Sequence, residues 1–291
     1  MARLTPISSS TPKPDVYVPH KLVIEPPSRW TSLELRELWQ HRDLLFFLTW
    51  RDLSVRYKQT ILGPIWAVMN PVASMLIFSL FLGGLVGVAS DGVPYPLFSF
   101  AALVPWVLFT NTLNRTAVSL VGSAGLITKV YFPRLIIPLS NVLSSLVDFG
   151  LSFAVLVILM LAYGYLPTLN ILLLPFFVLL CVMIGLGVGL ILAAMNVRFR
   201  DVGLFMPFFL QAWLYATPVV YSSSLVQGDL LRTIYNLNPM VSVVEGFRWS
   251  LLGVGNSPGT TLLLPIALAI VALVCGVFYF KQTERIFTDV V

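Results

Sequence analysis

Polar and apolar positions along this chain sort into a polar start and a series of long uncharged runs, parted by short charged or Gly/Pro-rich breaks. The two patterns meet between Trp50 and Pro71. There Arg51, Asp52, Arg56 and Lys58 are interleaved with Trp50, Leu53, Val55 and Tyr57, and from Ile61 an uncharged run extends to Ser90. At helical spacing Trp50, Leu53 and Tyr57 share one face, while Arg51, Val55 and Lys58 fall on another. A helix divided in this way lies in the plane of a bilayer surface. The run behind it exceeds the roughly 20 apolar residues that cross a hydrocarbon core. The pattern therefore predicts amphipathic interface helices over 29–60 that feed directly into a first span at 61–88.

Further spans follow from the breaks. Asp91-Gly92 with Pro94 and Pro96 ends the first. The second covers 97–121, and a short connector, 122–133, leads to the third at 134–163. A Gly/Pro turn separates that from the fourth at 168–195, and the charged stretch Asn196–Val202 precedes the fifth at 203–221. The sixth runs 261–280, with a tail at 281–291. Between the last two spans, residues 222–260 contain helical patterns at Leu225–Leu231 and Met240–Leu252, broken at Asn238-Pro239 and too short to cross. They read as two re-entrant helices dipping into the outer leaflet, a gate or vestibule including Asn238, Pro239, Glu245 and Arg248. Non-spanning backbone is tolerated at that depth only against protein or a cavity; a plain loop on the lipid surface is the alternative. Residues 1–28 are rich in Ser, Thr and Pro and read as a flexible N-terminus, after which Thr31 and Glu34 form a capping box. The fold class expected is an all-α polytopic membrane protein with six transmembrane helices.

Composition agrees with the pattern. The chain is 57% hydrophobic and 11% charged, where soluble domains carry about 25% charged residues. Its net charge of +5 is one-sided. The N-terminal region, the 122–134 segment, the 196–202 loop and the tail hold 15 of the 18 Lys and Arg residues. That asymmetry places both termini in the cytoplasm and is an orientation signal, not a nucleic-acid surface. Cys181 and Cys275 lie in apolar runs, and His20 and His41 in the polar N-terminal region, so no disulfide framework or metal site is expected. The first 30 residues lack a signal-type apolar stretch, so insertion is expected to rely on the spans.

Arg115 and Asp148 are the charges deep in the predicted spans, where charge is costly enough to mark function. Two readings stand: an Arg115–Asp148 pair joining spans two and three, or Asp148 facing a hydrated pore.

The segment from Trp50 to Pro71, with its Trp-Arg-Asp-Leu, Val55-Arg56-Tyr57-Lys58-Gln59-Thr60 and Asn70-Pro71 elements, resembles the N-terminal signature of ABC-2 type polysaccharide export permeases. Similar matches are Lys129-Val130-Tyr131-Phe132-Pro133-Arg134, Asn196–Val202, Tyr215-Ala216-Thr217-Pro218-Val219, Asn238-Pro239-Met240 and Glu245-Gly246-Phe247-Arg248-Trp249. The resemblance covers about residue 22 to the C-terminus. It implies a cytoplasmic (inner) membrane, multi-pass subunit that forms a homodimer, with the pore between the copies. It further implies two copies of a separate ABC ATPase and a lipid-linked (undecaprenyl-diphosphate) polysaccharide such as O-antigen, capsule or teichoic acid.

No G-x-x-x-x-G-K-[ST] phosphate loop occurs here. The chain is therefore expected to be no enzyme and to carry no cofactor, with ATP and Mg on the partner subunit. The resemblance places a coupling helix in the 122–133 connector, where Leu126, Ile127, Lys129, Val130, Tyr131 and Phe132 are candidate contacts to the ATPase; packing on its own bundle is the alternative. Trp50, Arg51, Arg56, Tyr57 and Lys58 are candidates for membrane anchoring or for headgroup and carrier-diphosphate contact. Trp106, Phe109, Trp213, Tyr215 and Tyr221 are candidates for a translocation path offering flat aromatic faces to sugars, or for packing between spans. A secondary transporter would show internal repeats, and a membrane-bound transferase an acid/base or metal constellation. A channel would have no ATPase partner. An ABC-2 permease for a drug or another small lipid is the nearest competing reading.

Overall fold

The computed structural model describes residues 35–58, 60, 63–127, 132–199, 201–226, 228–255 and 259–284. The expected flexible N-terminus, the Thr31–Glu34 capping box, residues 128–131 of the expected coupling helix and residues 285–291 of the tail lie outside them. The described fold is helical, without a strand. Helices α1 (Leu35–Gln40) and α2 (Arg42–Tyr57) precede α3 (Ile65–Phe78), which continues as a π-helical stretch, Ser79–Val86. Then come α4 (Tyr95–Gly122), α5 (Ala124–Ile127), α6 (Ile136–Ala162) and α7 (Leu174–Arg198), the last entered through a 3-10 turn at Leu169–Leu173. Helices α8 (Asp201–Tyr215), α9 (Asp229–Asn236), α10 (Pro239–Leu252) and α11 (Leu263–Thr283) complete it.

Five helical segments among the described residues are long and apolar enough to cross a membrane: Ile65–Val86, Tyr95–Gly122, Ile136–Ala162, Leu169–Arg198 and Leu263–Thr283. They match the expected spans one, two, three, four and six. Over the expected fifth span, 203–221, helix α8 stops at Tyr215 and residues 216–221 turn. At about 1.5 Å per residue α8 is roughly 22 Å long, short of a hydrocarbon core of about 30 Å. Pro218 bars the helix from continuing through these turns. In the outer segment the two short helices are present, but the first begins at Asp229 instead of Leu225. Gly228 takes a positive φ of 97° there and separates α9 from the preceding turn.

Helix α4 is the core of the bundle. Over its most apolar stretch 78% of residues are buried, against 11% for Ile65–Val86. Helix α7 holds α4 on one side and α11 on the other through alternating glycines. A Cβ on Gly189 would come within 2.8 Å of Thr116 on α4, and one on Gly185 within 3.1 Å of Thr112. A Cβ on Gly187 would meet the backbone of Ala272 and Leu273 on α11 at 2.5 and 2.6 Å. Apolar surface gains little from helix association in lipid, so close backbone approach through small residues carries the packing. A second apolar cluster gathers at one end of the bundle. It joins Leu48 of α2, Leu120 of α4, Phe132, Ile136 of α6, Val197 of α7 and Phe280 of α11.

Gly187→Leu is expected to abolish the monodisperse folded protein, because α7 and α11 must then separate. Gly203→Ala, where a Cβ meets open space, is expected to leave it intact. Overpacking of this kind costs about 1–3 kcal/mol or more, and the monodisperse yield of the two variants on size exclusion in detergent measures the difference.

Candidate functional site

The charged half of the bundle is organised on Asp148, midway along α6. This residue of α6 is 3% exposed, and a carboxylate so placed is strongly unfavourable unless cations and donors meet it. Arg115 of α4 approaches Oδ2 through Nη2 at 2.5 Å, and Arg56 of α2 approaches the same oxygen through Nη1 at 2.7 Å. The Tyr57 hydroxyl donates to Oδ1. Burial pushes the Tyr57 pKa up and the neighbouring carboxylate adds to the shift, which keeps that hydroxyl protonated as a donor. A second nitrogen of Arg115, Nη1, donates to Ser145 at 3.3 Å. The ion-pair reading of Arg115 and Asp148 is thus the geometry observed. What sequence reasoning missed is that Arg56 and Tyr57 join it. The signal was there: Leu45, Leu48, Asp52 and Arg56 recur at three- and four-residue steps and define the inward face of α2.

Beside this carboxylate lies a cavity of about 160 Å³ between α2, α3, α4 and α6. Arg56, Arg115 and Asp148 line it together with Trp66, Asn70 and Asn111. The other interface candidates lie elsewhere on α2. Trp50 and Lys58 are exposed, and Arg51 pairs with Asp52 at 2.9 Å. Phe46, Phe47 and Val55 are exposed with Trp50, so the outer surface of α2 is strongly apolar. The expected sorting of Trp50 with Leu53 and Tyr57 does not hold, because the face carrying Arg56 and Tyr57 turns toward α6.

The aromatic candidates divide. Trp106, Phe109 and Trp213 come together, with ring centroids 5.4 Å apart for the first pair and 4.8 Å for Phe109 and Trp213. Phe109 is fully buried and Trp106 is 5% exposed, so in this conformation they pack against this chain's own side chains. Tyr215 is 58% exposed, and Tyr221 donates its hydroxyl to the Tyr215 carbonyl at 3.1 Å. Among the coupling candidates, Phe132 is buried inside the second apolar cluster, contrary to an exposed docking role, and Leu126 packs at its edge. Residues Lys129, Val130 and Tyr131 and the Ile127 side chain lie outside the described set. Arg134 binds the Glu284 carbonyl at 2.6 Å and ties α6 to the end of α11.

The opposite end is organised on Arg248 of α10, which is 4% exposed. Its guanidinium donates to the carbonyls of Phe98 (3.2 Å), Val219 (2.8 Å) and Tyr221 (3.4 Å), and it sits 3.5 Å from the centroid of the Phe98 ring. Tyr95 donates to the Val220 carbonyl at 2.6 Å, and Ser222 to Asp91 at 2.7 Å. The turns after α8 are therefore fastened to the start of α4 and to the loop preceding it. Asn238 caps α10 by accepting from the Met240 N–H at 3.1 Å, with Pro239 as the first helical residue. The same side chain accepts from the Trp213 indole at 3.0 Å and donates to Ala216 and Thr217. Burial raises the Glu245 carboxyl above its ordinary pKa, while the Ser223 hydroxyl and Arg248 oppose the shift. Among the described residues no three His, Cys, Asp or Glu side chains gather as a metal site requires.

The sequence profile of the ABC-2 type transporter family matches residues 43–252. The chain belongs to that family. The ABC-2 match spans α2 to α10 and so includes both the Asp148 and the Arg248 ends of the bundle. The chain is similar to an O-antigen export system permease protein of Myxococcus xanthus, 37% identical over 216 residues, or 74% of this chain and 82% of that protein. A permease of the same description from Klebsiella pneumoniae is 31% identical over 71% of this chain and 79% of its own length. A polysialic acid transport protein of Escherichia coli is 23% identical over 81% and 91%. With its apolar helices and this membership, the ABC-2 chain is a multi-pass membrane protein.

Arg248→Met is expected to destabilise the protein by about 2–5 kcal/mol, because three carbonyls lose a charged donor. Arg248→Lys is expected to restore only part of that, since an ammonium cannot spread over the same three acceptors. Thermal unfolding of both variants beside the parent is the measurement.

Proposed function

We propose that this chain is the permease of an ATP-driven exporter that moves a lipid-linked polysaccharide across the cytoplasmic (inner) membrane. The cargo in this reading is an O-antigen-type glycan on undecaprenyl diphosphate. The observation carrying the proposal is the ABC-2 match together with 37% identity, over 74% of the chain, to a protein described as an O-antigen export permease. Capsule-type cargo is the second reading, favoured by the similarity to the polysialic acid transport protein.

In this reading the subunit has six spans, α8 with its following turns serving as the fifth, and both termini are cytoplasmic. Two copies form a pore at their interface and two copies of a separate ABC ATPase supply energy. The 122–133 connector, with Lys129, Val130 and Tyr131, meets that ATPase. Support for a separate energy source comes from the sequence, which carries no phosphate loop. Support for the cytoplasmic placement of the Asp148 end comes from the basic residues gathered there.

The test is deletion of the gene in its host followed by complementation. Loss of surface polysaccharide with accumulation of the lipid-linked polymer inside the cell is expected, whereas an unchanged surface polymer overturns the proposal. The purified chain alone is expected to turn over no ATP, and co-expression with its ATPase to give a two-plus-two complex by native mass spectrometry.

The aromatic path is narrowed by burial. Cysteine placed at 215 in a Cys-free background is expected to react with a membrane-impermeant thiol reagent during ATP turnover, while cysteine at 109 stays protected. Equal protection at both positions would remove Tyr215 from the path.

A further inference from the structure

We propose that Glu245 is the proton-sensitive catch of a latch at the Arg248 end of the bundle. With a proton on Glu245, residues 216–223 stay fastened to α4 and α10; with the carboxylate charged, they loosen. A mismatch between acids and donors is the ground. Asp91, Ser222, Ser223, Glu245 and Arg248 line one cavity of about 10 Å³, room for about one water. The guanidinium of Arg248 is turned away from both acids, because Nε, Nη1 and Nη2 donate to the carbonyls of Phe98, Tyr221 and Val219. Among the described residues neither Asp91 nor Glu245 forms an ion pair. Asp91 does accept from the Ser222 hydroxyl at 2.7 Å. Two carboxylates confined beside a cation that is engaged elsewhere do not both ionise freely, and the one without that donor holds the proton.

The groups facing Glu245 from each neighbouring element set its charge. Burial is the largest influence and disfavours the carboxylate, and Asp91, in the loop before α4, acts in the same direction. The Ser223 hydroxyl, Arg248 and Arg232 of α9 oppose them, and the balance leaves the carboxyl above its ordinary pKa. Tyr235 of α9 adds no charge, since burial pushes the pKa of its hydroxyl up. Helix α4 brings Tyr95, whose hydroxyl is held by the Val220 carbonyl. Helices α7 and α11 also pack on α10, but neither carries a charged residue before Arg198 and Lys281 at their C-terminal ends.

The direction of the effect follows from hydration. When residues 216–223 lift away, water reaches Glu245 and its pKa returns to the ordinary range. The fastened state therefore binds the proton more tightly. Its advantage is complete below the ordinary glutamate pKa of about 4.3, and is lost as pH rises through the raised value of the fastened state. Ser222 and the carbonyls of Val219 and Tyr221 anchor the same segment, so water drawn to a charged Glu245 also competes for the bonds made by Arg248 and Asp91. As control over the exit of cargo on the outer face, the latch rests on the exporter reading.

The test needs neither cargo nor ATPase. Full-length chain in a Cys-free background is placed in phosphatidylcholine nanodiscs, which expose both faces to one buffer. A nitroxide is attached through Leu225→Cys, at an exposed position closing the turn Ser223–Leu225. A second preparation carries it through Leu166→Cys, in the exposed turn between α6 and α7, as a reference. Electron paramagnetic resonance reads label mobility from about pH 4 to about pH 8.

The mobile fraction at 225 is expected to rise several-fold with pH, with no change at 166. Glu245→Gln is expected to hold the low mobility at every pH. Asp91→Asn keeps an acceptor for Ser222 and tolerates the φ of 52° found there, but removes the neighbouring charge. It is expected to move the midpoint to lower pH, a shift that a latch without a titrating catch does not show. A flat profile at 225, an equal rise at 166, an equal rise in Glu245→Gln, or a midpoint unmoved by Asp91→Asn overturns the proposal. Should Glu245→Gln fail to fold, the Asp91→Asn shift decides alone. A negative result leaves the deletion phenotype intact, so the two ideas fail separately.

Discussion

The carboxylate of Asp148 constrains more of this protein than any other group. It is carried on a membrane-spanning helix and is nearly sealed from solvent. Such a group exists there only because α4 brings one arginine to it and α2 brings another together with a tyrosine. The consequence reaches beyond electrostatics. Helix α2 is not itself a span, yet its C-terminal turn is fixed against α6 before the chain enters the first spanning segment. That arrangement sets the depth and direction from which α3 starts. Loss of either arginine takes a charged donor from the buried carboxylate, so the three helices are coupled through one buried acid.

Beyond that point the bundle depends on shape instead of polarity. Lipid is as apolar as leucine, and exposed leucines on α3 and α11 therefore cost little in a bilayer. What distinguishes α7 is a run of glycines two residues apart that opens opposite faces in turn, one toward α4 and the next toward α11. Thr112 and Thr116 fill the first face, and the backbone around Ala272 fills the second. The most buried helix, α4, is thus held by close contact at Thr112 and Thr116, on either side of Arg115, and by Arg248 near its other end.

Much of this was legible in the sequence, and the parts that were not share a cause. Long uncharged runs located five helices because bilayer thickness sets a length that chance seldom reproduces. Arg115 and Asp148 stood out because ionised groups are rare in such runs. Arg56 and Tyr57 belong to a segment where charge is ordinary; the periodicity that carries Leu45, Leu48, Asp52 and Arg56 marks an inward face, but it does not name a partner about ninety residues away. Arg248 was recognised as an outer-segment residue, but its acceptors are backbone carbonyls, which have no sequence signature. Trp106 and Phe109 show the converse. Three-residue spacing correctly places them together, but spacing says nothing about whether the shared face meets a pore or the chain's own core.

The two arginine-centred ends are joined by α4 itself. Arg115 lies near one end, and the Phe98 carbonyl that accepts from Arg248 lies near the other. At about 1.5 Å per residue they are roughly 25 Å apart along the axis. Pro105 interrupts the backbone ladder between them, and its carbonyl accepts from the buried Cys181 thiol of α7. A helix with a proline near its middle has a natural place to bend, and here α7 braces that place. Any displacement imposed at the Asp148 end therefore has two routes: a bend absorbed at Pro105, or a shift of the whole helix that pulls on the carbonyls held by Arg248. Close glycine packing opposes the bend, because α7 cannot retreat from α4 without losing contact with α11 as well. The geometry thus favours transmission along α4, from the charged end to the short helices at the other end.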